Sequence, residues 1–335
     1  MTQSQAIGDR PLLLVTCEAG ETSRAAFNAA IGEAAEIRYL QDTPAEDRAD
    51  LLTRAAVLLA RNTAKELSDE ELPLIGNVRL LQFFSAGIDF IPLRQFPADL
   101  PIAGNGGAFA APMAEHALAM ALAAVKRLFV EHERLRDSEF NQFTRNRMLA
   151  GGICGIFGYG GIGQAVARLF RACGMTIHAI NRSGEAEVPA DWHGTPEQLP
   201  ELLAVADVCV IAAPLSRATE GVIDAAALTA MKQDAVLINL ARGEIIDEAA
   251  LYAHLVATPT FTACLDAWWV EPIRHGRFEM GHPFLDLPNV IGSPHNSASV
   301  SGTGPVGWRS AAENCLRALR GEPPRHLIRA EERML

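Results

Sequence analysis

Short, nearly continuous apolar runs alternate along the chain with longer stretches in which apolar positions recur every three or four residues. The runs read as buried strands and the stretches as helices. In the first hundred residues, strands are expected at 11–16, 36–40, 55–60 and 80–85, with a helix at 23–32 stopped by Gly32. Residues 101–112, rich in Gly, Ala and Pro, read as a crossing between domains. From 113 to about 141 the spacing predicts one or two long helices. They are densely apolar up to Val125 and then charged through Glu131, Glu133, Arg134, Arg136 and Asp137. A second alternating run follows, with strands at 153–157, 176–181, 208–213, 235–241, 261–267 and 289–293. Helices are expected after residue 161 and at 195–206, 224–231 and 247–257, with a last one at 304–320 able to pack back on the first domain. Strand–helix alternation of this kind predicts an α/β fold with parallel sheets, the second run forming a doubly wound sheet of six strands.

Length and composition narrow the function. At 335 residues the chain suits two domains. Its net charge of −11 argues against nucleic acid and anionic membranes as partners, while leaving room for a local basic pocket for a small anion. The six cysteines, Cys17, Cys154, Cys173, Cys209, Cys264 and Cys315, form no CxxC pair and mostly sit in apolar runs. They read as reduced core residues of a cytoplasmic protein, with no metal site expected. The polar first ten residues contain no signal-peptide core, and the apolar run 117–125 ends at Lys126 and Arg127, short of a membrane span.

Candidate chemistry begins at Gly155-Ile-Phe-Gly158-Tyr-Gly160-Gly161-Ile-Gly163. Gly158, Gly160 and Gly163 stand in the G-x-G-x-x-G pattern between a strand and a helix. The first glycine serves a tight turn, the second lets a pyrophosphate approach the backbone, and the third lets helix pack on strand. With 27 glycines in the chain the pattern alone is weak. Its place between strand and helix gives it weight, against the alternative of a glycine-rich turn that binds nothing. About twenty residues on, NAD-binding folds carry an acid for the ribose hydroxyls. Here the second strand ends in Asn181-Arg182-Ser183. A guanidinium with two small polar neighbours suits a 2′-phosphate, so NADP is the preferred cofactor. NAD is the alternative, with Asn181 on the 2′-hydroxyl and Arg182 solvated.

Three further residues fall at the carboxyl ends of predicted strands, hence on the rim shared with the glycine loop: Arg242, Glu271 and His295. Reduction of a 2-oxo acid needs these types. An imidazole protonates the developing alkoxide, a carboxylate orients that imidazole, and a guanidinium grips the substrate's carboxylate. The alternatives are a surface charge at a helix start for Arg242, a solvated loop acid for Glu271 and a satisfied core histidine for His295. His116 lies on an apolar helix face and reads as structural. His275 and His282 read as loop residues flanking the pocket, and Trp268 and Trp269 as core or substrate wall.

With Ser85-Ala-Gly-Ile-Asp89, Ala114-Glu-His-Ala117, the glycine loop, Pro214, Arg242-Gly243, Asp247-Glu248, Asp266, Glu271-Pro272 and Pro294-His295 in order, the chain resembles the D-isomer-specific 2-hydroxyacid dehydrogenase family over essentially its whole length. The resemblance, closest in kind to glyoxylate/hydroxypyruvate reductases, implies a Rossmann cofactor domain at 105–298 and a discontinuous, flavodoxin-like substrate domain at 1–104 and 299–335. It implies Arg242, Glu271 and His295 as the catalytic set, and Ser85, Ala86 and Gly87 on the substrate carboxylate. Cofactor contacts are implied at Gly158, Tyr159, Gly160, Gly161, Ile162, Gly163, Asn181, Arg182, Ser183, Ala213, Pro214, Thr219, Leu240, Ala241, Asp266 and Ser297. The expected function is NAD(P)H-dependent reduction of a small 2-oxo acid to the D-2-hydroxy acid. Glu271 disfavours the related formate dehydrogenases, which typically carry Gln there. The rival class is a corepressor-like protein that senses nicotinamide nucleotides without turnover. An apolar helical face at 113–141 points to a homodimer.

Overall fold

In the computed structural model, which describes residues 10–334 apart from Ser183 and Glu185, the chain divides into two units. One holds the chain up to Ala108 together with the segment from Ser301 onward, and the other is Phe109–Val300.

The first unit is built on β1 (Leu12–Val15), α1 (Glu21–Ile31), β2 (Glu36–Tyr39), α2 (Ala45–Arg54), β3 (Ala55–Ala60), α3 (Thr63–Glu66), β4 (Leu80–Phe83) and β5 (Ile102–Ala103). Its parallel sheet runs β2-β1-β3-β4-β5, the order of flavodoxin-like folds. β1 and β4 are buried throughout, which is why they read as continuous apolar runs rather than alternating ones. The C-terminal helix, Thr303–Leu319, packs on α1 and β3. Its Trp308 ring lies 5.5 Å from Phe27 and 5.1 Å from Phe84, and its buried Asn314 donates to Gln82 at 2.6 Å. Two stretches at opposite ends of the chain thus share one core. The start of the expected crossing, Ile102 and Ala103, instead forms the edge strand β5. Both residues are fully buried, but a strand of this length is too short to leave a periodic signal.

The second unit contains α4 (Ala110–Val125), α5 (Leu128–Arg136), β6 (Ile153–Phe157), α6 (Gly161–Ala172), β7 (Thr176–Ile180), β8 (Trp192–Gly194), α7 (Leu199–Val205), β9 (Val208–Ile211), α8 (Ala225–Ala230), β10 (Val236–Asn239), α9 (Glu248–Ala257), β11 (Thr262–Leu265), α10 (Pro272–His275) and β12 (Val290–Gly292). The parallel sheet has seven strands, β12-β11-β10-β9-β6-β7-β8, not six. The additional strand, β8, pairs His178 with Trp192 at the sheet edge and is only partly buried, so it lacks the apolar run that betrays the others. The order reverses between β6 and β9, creating a crevice at their carboxyl ends. The expected long helical region breaks at Arg127, whose φ of 55° is left-handed. α4 buries Met113, Ala114, Ala117, Met120, Ala121 and Val125 and packs on α6 within the unit. In contrast, α5 and the chain after it expose Leu128, Phe129, Leu135, Phe140, Phe143 and Met148.

Candidate active site

The glycine loop follows β6, at the point where the strand order reverses. Gly158 has φ 102°, and a Cβ there would lie 2.2 Å from the Ala213 nitrogen at the end of β9. A Cβ on Gly163 would meet the Gly158 carbonyl at 2.2 Å, so only glycine lets α6 sit this close to β6. Gly160 differs: a Cβ would meet nothing within 4 Å. It is the N-cap of α6 and brings no side-chain cap to the helix, so backbone donors at Gly161 and Ile162 and the helix dipole are presented for an anion. The backbone N–H groups of Gly158 and Tyr159 both donate to the Ile180 carbonyl instead, and the Tyr159 ring is buried against His193.

At the end of β7, Asn181 accepts from the Gly184 N–H at 2.7 Å and Arg182 is exposed. Ser183 lies outside the described residues. Near Ala213 and Pro214, the Thr219 hydroxyl donates to the Pro214 carbonyl at 2.8 Å and accepts from the Ser216 N–H at 2.8 Å, closing the loop after β9. These groups fit a dinucleotide, as does Ser297. Its hydroxyl is buried and has no partner among the described residues, and it sits on the loop after β12.

β10, β11 and β12 are successive neighbours, and each delivers one member of the expected set from its carboxyl end. After β10, the buried Asn239 side chain accepts from the Ala241 N–H at 3.0 Å and donates to the Arg242 carbonyl at 2.8 Å, fixing the turn through Leu240 and Ala241. Gly243 allows this turn to touch the backbone of Trp268 and Trp269, where a Cβ would be only 2.4 Å from the Trp268 carbonyl carbon. After β11, Glu271 caps α10 and accepts from the Trp268 N–H at 2.8 Å. After β12, His295 places Nδ1 2.9 and 2.8 Å from the two carboxylate oxygens of Glu271. Burial pushes the Glu271 carboxyl upward, but the hydrogen bonds from His295 and the Trp268 N–H, with the Arg242 charge, outweigh it and hold the group below its ordinary value. Guanidinium, carboxylate and imidazole therefore share one neighbourhood.

Other assigned residues take supporting places. Asp266 is fully buried and accepts from the Ser293 hydroxyl and from the N–H groups of Asn296 and Ser297. Both indoles are committed to carbonyls, Trp268 to Ser293 and Trp269 to Ile246, each at 2.8 Å. His275 Nδ1 accepts from the Glu271 N–H at 3.0 Å, and His282 stacks on Tyr252. In the first unit, Ser85, Ala86 and Gly87 form the loop after β4. The Ser85 carbonyl accepts from the Asn105 N–H at 2.9 Å, and a Cβ on Gly104 would lie 2.7 Å from the Ala86 carbonyl oxygen. The sequence reading gave His116 a structural place and did not single out Ser293. His116 Nε2 lies 3.0 Å from the Ser293 hydroxyl.

Comparison with known proteins gives the family. The family model described as D-isomer specific 2-hydroxyacid dehydrogenase, NAD binding domain, matches residues 118–297. A hydroxypyruvate reductase of Thermotoga maritima is 28% identical over 75% of this chain and 80% of its own. A glyoxylate reductase of Aeropyrum pernix is 31% identical over 69% of this chain and 70% of its own. The crystal structure of a D-isomer specific 2-hydroxyacid dehydrogenase from Xanthobacter autotrophicus, in complex with NADPH and MES, superposes with a TM-score of 0.76 at 25% identity, covering 96% of this chain and 99% of that one. The chain belongs to the D-isomer-specific 2-hydroxyacid dehydrogenases and is an NAD(P)-dependent oxidoreductase.

Proposed function

We propose that the protein reduces a small 2-oxo acid of the glyoxylate or hydroxypyruvate type to its D-2-hydroxy acid, with NADPH preferred over NADH. The single observation that carries this reading is the clasp of His295 Nδ1 by both oxygens of Glu271. A carboxylate at Nδ1 requires the N–H there, so Nε2 is the edge left for substrate. Protonated at both nitrogens, the ring gives its Nε2 proton to the substrate oxygen as negative charge develops, and Glu271 stabilises the cation beforehand. Arg242 grips the carboxylate or the carbonyl through its forked donors. A nicotinamide cofactor, once bound, would supply the hydride. Ser85, Ala86 and Gly87 hold the substrate carboxylate, making the unit built from both chain ends the substrate domain and Phe109–Val300 the cofactor domain.

The NADPH preference is supported by exposed Arg182 at the end of β7, where a carboxylate would repel the 2′-phosphate. The exposed apolar side chains of α5 and the segment after it support a homodimer. A reducing, cytoplasmic setting suits six unpaired cysteines. Loss of NADPH absorbance across a panel of 2-oxo acids is the test. Turnover of glyoxylate or hydroxypyruvate is expected. Silence with tight NADPH binding would replace the enzyme with a nucleotide sensor, and an NADH advantage of about tenfold in kcat/KM would overturn the cofactor preference.

A further inference from the structure

Behind the turn that carries His295 runs a chain of polar side chains that the proposed chemistry does not use. His295 sits at φ 49°, a left-handed conformation that is strained for a residue with a Cβ. Something must hold the turn there. The Asp266 carboxylate, 0% exposed, accepts from the N–H of Asn296 at 3.1 Å and of Ser297 at 3.3 Å, the two residues after His295. It also accepts from the Ser293 hydroxyl at 2.5 Å, two residues before His295. The turn is therefore gripped on both sides by one carboxylate.

The Ser293 hydroxyl has a single proton, and the short bond to Asp266 uses it. Toward any other partner this oxygen can only accept. His116 Nε2, 3.0 Å away on α4, must then be the donor, which fixes its proton on Nε2. The same nitrogen lies 3.7 Å from Asp266 Oδ1, so the imidazole faces a buried carboxylate directly as well as through the serine. The Trp268 indole N–H donates to the Ser293 carbonyl at 2.8 Å, and the Ser293 N–H donates to the Leu265 carbonyl at 2.9 Å, so the backbone of that residue is held as well.

We infer that His116 is a positioning residue: its Nε2–H, acting through Ser293 and Asp266, holds the left-handed turn that delivers His295 to Glu271. The inference rests on His295 as the acid/base of the proposed reduction, but part of its test does not. Removing the donor with His116→Phe leaves the Ser293 hydroxyl short of a partner and loosens the grip on the turn. Amide hydrogen exchange at Asn296 and Ser297, measured on the intact protein without substrate, should then speed up about tenfold or more. In the same variant kcat should fall about tenfold, with KM and the NADPH dissociation constant within about twofold of the parent. His116→Gln, which keeps a side-chain N–H, should recover part of both. Ser293→Ala should match His116→Phe, and the double variant should be no worse than either alone. Exchange at both amides within about twofold of the parent, in a His116→Phe protein with native circular dichroism, overturns the inference. So does a loss confined to thermal stability with kcat intact, or a His116→Gln variant as impaired as the Phe variant. A parent protein that turns over no 2-oxo acid while the exchange behaves as expected removes the proposed reaction and leaves the positioning role standing.

Discussion

His295 and Glu271 carry different parts of one task, and substitutions should separate them. His295→Ala removes the proton donor, so kcat should fall by about 10²–10⁴ while NADPH binding, measured by fluorescence titration, stays intact. An unchanged kcat would remove the role. Glu271→Gln keeps an acceptor for Nδ1 but removes the charge. Loss of one charge-assisted bond of about 1.5–3 kcal/mol corresponds to roughly a 10- to 100-fold drop in kcat. The pH dependence of stability has a defined sign. Glu271 titrates below its ordinary 4.5 in the folded chain. Its contribution is therefore complete above 4.5 and is lost as pH falls through the lower folded value. Urea melts between pH 6 and 3 should show a shallower acid limb for Glu271→Gln than for the parent. At this scale the pair was legible because both residues stand in short motifs at strand ends. His116 was not, because its partner Ser293 lies 177 positions away and no local pattern reports such a contact.

At the level of elements, the glycine loop joins two demands that can be pulled apart. Gly158 answers to the fold, since a Cβ there meets Ala213 backbone at 2.2 Å and φ is 102°. Gly158→Ala should destabilise the protein by about 1–3 kcal/mol, read as a shifted urea midpoint. Gly160 faces open space. Gly160→Val should leave the midpoint nearly unchanged and weaken NADPH binding about tenfold, or 1.4 kcal/mol. Equal destabilisation by both would mean that the loop serves packing alone. Most strands of both sheets were readable because burial on two faces makes them plain apolar runs, as in β6 and β10. β8 and β5 were not. The first carries Trp192 and His193 at a half-covered edge, and the second is two residues long. α2 left little trace because it buries only Leu52.

For the molecule as a whole, six large apolar side chains between Leu128 and Met148 stand exposed among charged neighbours, on a chain of net charge −11. Light scattering at micromolar concentration should give twice the mass of one chain. Phe129→Asp combined with Phe143→Asp should give a monomer that keeps its α/β circular dichroism, and a parent that is already monomeric would remove the proposed dimer. The same region borders a cavity of about 420 Å³ lined by Arg127, Arg134, Arg145 and Arg147. The cavity reaches Thr262 at the amino end of β11, the opposite edge from His295, so it is no part of the reaction site.

The helix Thr303–Leu319, which packs on the sheet of β1 to β5, follows the whole second unit in the chain. During synthesis β1 to β5 therefore emerge from the ribosome without the layer that Trp308 and Asn314 supply, and they wait for the whole intervening unit to be translated. The intervening unit is one unbroken stretch and has all its strands by Val300. The first unit should therefore complete its core after the second, and a nascent chain halted at residue 300 should be cut by protease in its first hundred residues while the rest resists.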